Sequence, residues 1–142
     1  MNRRAPFQYI SSRKLRAKGG HPDESNDCSV RALVSATGLP YSTAHDIMTA
    51  SGRPPRKGWH TDKGLKVLAE LGAIKFSEID LVNHWPLKPI TLSTLLRRLP
   101  VGRYVCHTCG HAFALIDGVV HDNRAPGLNT RIEQCWRIEE VK

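Results

Sequence analysis

The chain has 142 residues, enough for one compact domain, and 40% of them are apolar, far from a disordered composition. Lys plus Arg number 21 against 13 Asp plus Glu, a net charge of +8 that attracts nucleic acid, acidic proteins and anionic surfaces. No apolar run approaches the roughly 18–20 residues of a membrane span, and aromatics, at 6%, are too sparse for an interleaved single-strand-binding platform.

The first residues carry Arg3, Arg4, Arg13, Lys14, Arg16 and Lys18 with no acid and no apolar stretch behind them. Residues 1–20 therefore read as a basic, flexible arm rather than a secretory signal, with the cytoplasm as the expected compartment. Through this arm nucleic acid is a partner to consider. Phe7, Tyr9 and Ile10 alternate with Gln8 and suit a short strand. Residues 21–142 are expected to form a single domain. It opens with His21-Pro-Asp-Glu-Ser-Asn-Asp27, a polar loop rich in capping residues.

A helix is expected from about Cys28 to Thr37, with Val30, Leu33, Val34 and Thr37 on one face. Asn26 or Asp27 suits its N-cap, Gly38 its end, and Pro40 forbids continuation. A second helix follows over about Thr43 to Ala50, capped by Ser42 and closed by Gly52; Arg53 to Gly58 is a charged loop. Thr61 is expected to cap a third helix over Asp62 to Leu71, with Leu65, Leu68 and Leu71 inward. A strand over Ala73 to Ile79, a Pro-broken loop and a short helix from Thr91 to Leu99 come next. Four strands close the chain, at about Arg103 to Thr108, Ala112 to Ile116, Val119 to Asp122 and Arg131 to Ile138. Helices first, then an antiparallel sheet, argue an α+β class.

Asp117-Gly118 marks a two-residue hairpin, because a type I′ turn needs positive φ at both positions. With that turn Phe113 stands opposite Asp122, and alternation puts His111, Phe113 and Asp122 on one face. A His and a carboxylate on adjacent strands can act as base and orienter. The nucleophile candidate is Cys28, placed in the first turn of its helix, where free N–H groups and partial positive charge favour a thiolate and can hold an oxyanion.

A Cys opening a central helix, then a helical half, then a sheet half with His on one strand and Asp on the next, resembles the papain-like cysteine peptidases. Asn26-Asp27-Cys28 and Gly110-His111-Ala-Phe-Ala-Leu115 are similar to the nucleophile and His segments of their small bacterial, bacteriocin-processing members. The resemblance spans residues 21–138. It implies a papain-like fold, a Cys28–His111–Asp122 triad, no cofactor, and hydrolysis or transfer at an amide bond of a protein or peptide substrate, for which an acidic partner suits the charge. Those families usually carry a Gln a few residues before the Cys. Here Pro22 stands six residues before it, leaving Asn26 or Gln8 as the second oxyanion donor.

Two other classes stay open. Cys106-His-Thr-Cys109 is a C-x₂-C pair that, with His107 or His111 and Cys28 or Cys135, has zinc-ligand chemistry and would make a basic nucleic-acid-binding module. Strand alternation opposes it, since it points Cys106 and His107 opposite ways. The other class is a papain-like fold without catalysis that serves as a protein-interaction module. Trp59, His60 and Trp85 sit in loops, where they either anchor on the core or line a groove.

Overall fold

The computed structural model describes residues 9–11, 27–54, 60–81, 90–99, 101–122 and 126–140. Asn26, Gln8, Pro22, Trp59, Trp85 and most of the expected arm lie outside the described residues. The elements run β1 (Tyr9–Ser11), α1 (Cys28–Thr37), α2 (Tyr41–Ala50), α3 (Thr61–Glu70), β2 (Ile74–Glu78), α4 (Leu92–Arg98), β3 (Arg103–Thr108), β4 (His111–Ile116), β5 (Val119–Asp122) and β6 (Gln134–Glu140). The class is α+β. The strands form one sheet of order β1-β5-β4-β3-β6-β2, antiparallel from β5 to β2, with β1 added in parallel to β5.

Both faces of the sheet are covered. On one, Val105, Ala112, Ala114, Trp136 and Ile138 pack with Val30, Leu33 and Ala36 of α1, Met48 of α2, and Leu65 and Leu68 of α3. On the other, Cys106, Phe113, Leu115, Val120 and Cys135 meet Leu92 and Leu95 of α4. A sheet buried on both sides explains why β3 and β4 are near-continuous apolar runs rather than alternating ones.

Helix α1 is the centre of the first layer. Val30 and Leu33 are wholly buried as the periodicity predicts, but so are Ser29, Ala32 and Ala36, and Arg31 nearly so, while Val34 and Thr37 are only half-buried. Small residues on both sides, Ala32 and Ala36 on α1 and Ala112 and Ala114 on β4, suit close packing of the helix on that strand. Its C-terminal end is tied down three times. Gly38, in the left-handed region at φ 76°, donates to the Val34 carbonyl, Thr37 Oγ1 donates to Leu33, and Arg103 reaches from β3 to the Ala36 carbonyl at 3.2 Å.

Several termini differ from expectation. Helix α2 begins at Tyr41 behind Pro40, not behind Ser42; the Tyr41 ring is buried and its hydroxyl finds a buried partner, which draws this residue into the helix. Thr61 is the first residue of α3 and buried, with His60 at the cap. Leu71, expected inward, is 69% exposed because the helix ends at Glu70. Arg53, counted with the loop's surface charge, is buried. Thr91 does precede α4, but its hydroxyl caps nothing. The carbonyls of Thr130 and Leu128 accept the N–H groups of Leu92 and Ser93 instead. The last strand starts at Gln134, since Arg131 makes only an isolated bridge with Thr91.

Gly64 in α3 lets α2 approach: a Cβ there would collide with the sulfur of fully buried Met48. Gly64→Leu is expected to destabilise the protein by about 1–3 kcal/mol through overpacking. The urea midpoint checks it; an unchanged midpoint would show that Met48 has room to move.

Candidate active site

The hairpin forms as its turn residues demand. Asp117 and Gly118 have φ of 49° and 80°, and Ile116 pairs with Val119. Continuing that register places Phe113 opposite Asp122, so His111 and Asp122 are diagonal neighbours on one face. The His111 Nε2 lies 2.8 Å and 2.9 Å from the two carboxylate oxygens of Asp122. Asp122 is buried at 4% exposure, while the His111 side chain is 37% exposed. A buried orienter behind a more open imidazole is what a base facing substrate requires.

Cys28 is the first residue of α1, half-buried, and its side chain is hydrogen-bonded to His111. With Nε2 engaged by Asp122, Nδ1 is the ring nitrogen left to face the sulfur. Burial pushes the thiol up. The bond to His111, a backbone N–H donated by Ala112, and the charges of His111 and Arg31 outweigh it, and the thiol pKa falls below its ordinary value of 9.0. His111 moves the opposite way. Its bonds to Asp122 and then to Cys28 raise it from 6.5 to about 9 against the effect of burial. The two shifts favour one state, a thiolate–imidazolium pair.

The strand register explains the role of Ala112. Residues facing each other in an antiparallel ladder alternate between hydrogen-bonded and non-bonded pairs. Ala112 follows His111, which closes the β3–β4 turn opposite Thr108, so its N–H points away from β3 and remains for the sulfur. Opposite it on β3 stands His107, half-buried, its Nδ1 without a hydrogen-bond partner among the described residues and 3.9 Å from Glu133 Oε2. Burial lowers the His107 pKa despite Glu133, which keeps a second positive charge from accumulating beside His111.

Cys28, His111 and Asp122 are thus brought together. Asn26 lies outside the described residues, and no placement of the second oxyanion donor follows from it. The C-x₂-C sulfurs part company: Cys106 is buried, 3.9 Å from the sulfur of Cys135 opposite it on β6, while Cys109 is exposed in the β3–β4 turn. Among the described residues no group of three or more His, Cys, Asp or Glu is placed to hold a metal. Also among them, no helix is long and apolar enough to cross a membrane.

One group beside the site escaped the reading of the sequence. Asp27, Arg31 and Tyr41 form a buried polar set, with Arg31 Nε 3.0 Å from Asp27 Oδ1 and the Tyr41 hydroxyl 2.7 Å from Oδ2. The i,i+4 spacing of Asp27 and Arg31 was its one legible sign.

No family model, curated protein or solved structure matches the chain. The fold and the site by themselves define an α+β domain in which a helix-opening cysteine is joined by hydrogen bonds to a histidine and a buried aspartate.

Proposed function

We propose that this protein is a papain-like cysteine amide hydrolase or acyltransferase with Cys28 as nucleophile, His111 as acid and base, and Asp122 as orienter. The observation that carries the reading is the hydrogen-bonded chain from the Cys28 sulfur through His111 to Asp122 at the start of α1. Placement of the Cys helix against the His strand, with five of the six strands drawn from the C-terminal half, supports the papain-like part of it.

In the reaction the Cys28 thiolate attacks the acyl carbon of an amide, and the carbonyl electron pair moves to oxygen. Backbone N–H groups at the start of α1 receive the oxyanion. The oxyanion re-forms the carbonyl as the C–N bond breaks, and His111 gives its proton to the departing amine. Asp122 holds the ring throughout. A thioester on Cys28 remains. Water, deprotonated by His111, releases the acid and restores the thiolate–imidazolium pair; an amine in place of water makes the outcome transfer. The net charge of +8 suits an acidic protein or peptide as substrate.

An activated ester tests the chemistry without knowledge of the natural substrate. Treatment with p-nitrophenyl acetate is expected to give a burst of p-nitrophenol stoichiometric with the chain and an acetyl group on Cys28 by mass spectrometry. Cys28→Ala abolishes the burst. A folded wild-type protein with no acetyl on Cys28 would sink the enzyme reading and favour a protein-interaction module on the same fold.

A further inference from the structure

Asp27 occupies the N-cap of α1, the position from which an Asp side chain ordinarily accepts an N–H of the first turn. It makes no such bond. Its carboxylate is wholly buried and is taken instead by Arg31 Nε at 3.0 Å and by the Tyr41 hydroxyl at 2.7 Å. Arg31, at 6% exposure, is buried with it. A buried ion pair is seldom better for stability than apolar residues of the same volume. Stability alone therefore gives little reason for burying a charged pair and a hydroxyl here, with Asp27 immediately before the nucleophile and Arg31 one turn after it.

For Cys28 the arrangement has two effects. The N–H groups at the start of α1 are not consumed by the Asp27 side chain, whose carboxylate is turned to Arg31 and Tyr41. A guanidinium carried one helical turn after Cys28 is also fixed, reaching back to Asp27, which Tyr41 in turn orients from α2. We propose that Asp27, Arg31 and Tyr41 are positioning residues for Cys28: they withdraw the Asp27 carboxylate from the first turn of α1 and hold a positive charge behind the thiolate. The inference rests on the reading of Cys28 as a nucleophile.

Among the described residues the ionisable groups that bear on the sulfur are few. They are His111 of β4 with Asp122 of β5 behind it, and Arg31 of α1 with Asp27 and Tyr41 behind it. His107 of β3 acts at one remove, through His111. Burial works against the thiolate, and the Arg31 charge is one of the groups opposing burial.

The test is the pH midpoint of Cys28 alkylation by iodoacetamide, followed by mass spectrometry, in wild type, Arg31→Gln, Arg31→Lys, Tyr41→Phe and His111→Ala. Arg31→Gln is expected to move the midpoint upward, and each unit of rise slows labelling at pH 6 about threefold, since lost thiolate outweighs gained nucleophilicity. Arg31→Lys keeps the charge and stays close to wild type, a rescue that a purely structural role would not produce. An unchanged midpoint in folded Arg31→Gln overturns the proposal. If thermal melts show that variant unfolded, Tyr41→Phe decides: it keeps the ion pair but removes the hydroxyl that orients Asp27, and a wild-type midpoint there overturns the proposal equally. His111→Ala separates the two levels. If it raises the midpoint and the Arg31 or Tyr41 change does not, only the positioning role fails; if none of them shifts it, the nucleophile reading fails as well.

Discussion

Replacing His111 with Ala is expected to slow alkylation of Cys28 at about pH 6 on the order of tenfold. Two opposing effects set the size. Without the imidazolium the thiol loses its principal hydrogen-bonding partner and a neighbouring positive charge, while the burial that pushes its pKa up remains. For every unit of rise the thiolate fraction below the pKa falls tenfold, but a more basic thiolate is about threefold more nucleophilic, so the net loss is about threefold per unit. Helix-N-terminal and His-paired thiols sit about one to several units below a free thiol, which brings the total to the order of tenfold. Cys109 is exposed and in the β3–β4 turn, and its labelling should not change. Cys106 and Cys135 are wholly buried and should stay unlabelled while the fold is intact. Thermal melts guard against a loosened variant. Equal Cys28 rates in wild type and folded His111→Ala would break the proposed pairing.

Asp122→Asn should act on the histidine rather than on the sulfur. The bond to Asp122 is the foremost cause of the His111 shift to about 9, and an amide side chain carries no charge to sustain it. The His111 ring titration, followed by NMR, is expected near 9 in wild type and well below that in the variant. The consequence for stability has a definite sign. A histidine raised from 6.5 to about 9 contributes stability that is fully present below about 6.5 and lost as pH rises through about 9. Cys28, lowered from 9.0, contributes stability present above 9.0 and lost as pH falls through its folded value. Asp122→Asn should therefore shrink the decline in urea midpoint between pH 6.5 and 9. A His111 midpoint unmoved by the substitution would show that the carboxylate does not control the base.

How much of this was legible depended on the range of the interaction. Asp117-Gly118 needs only its own backbone to specify a type I′ turn, and once the turn is set the register places His111 beside Asp122 with no further information. The start of α1 at Cys28 and its left-handed end at Gly38 are equally local. Leu71 shows where local reasoning stops: its helical spacing from Leu65 and Leu68 was right, but the chain leaves the helix one residue earlier and turns its side chain out.

Polar burial was the part that the sequence did not carry. Asp27 has every attribute of a capping residue, yet its carboxylate turns inward to Tyr41 of α2 and to Arg31 one turn on. Arg53 reads as surface charge and is buried; Thr61 reads as a cap and is the first residue of its helix. The sequence by itself determined the turn, the helix that opens at Cys28, and the face shared by His111 and Asp122, because each follows from backbone stereochemistry within a few residues. Tertiary structure decided that the sheet is covered on both faces, that Ala112 presents an N–H to the sulfur, and that Asp27 faces Arg31 and Tyr41. Those outcomes depend on which polar groups find partners when distant segments close together, and a buried polar group takes whatever partner the packing brings within hydrogen-bond reach.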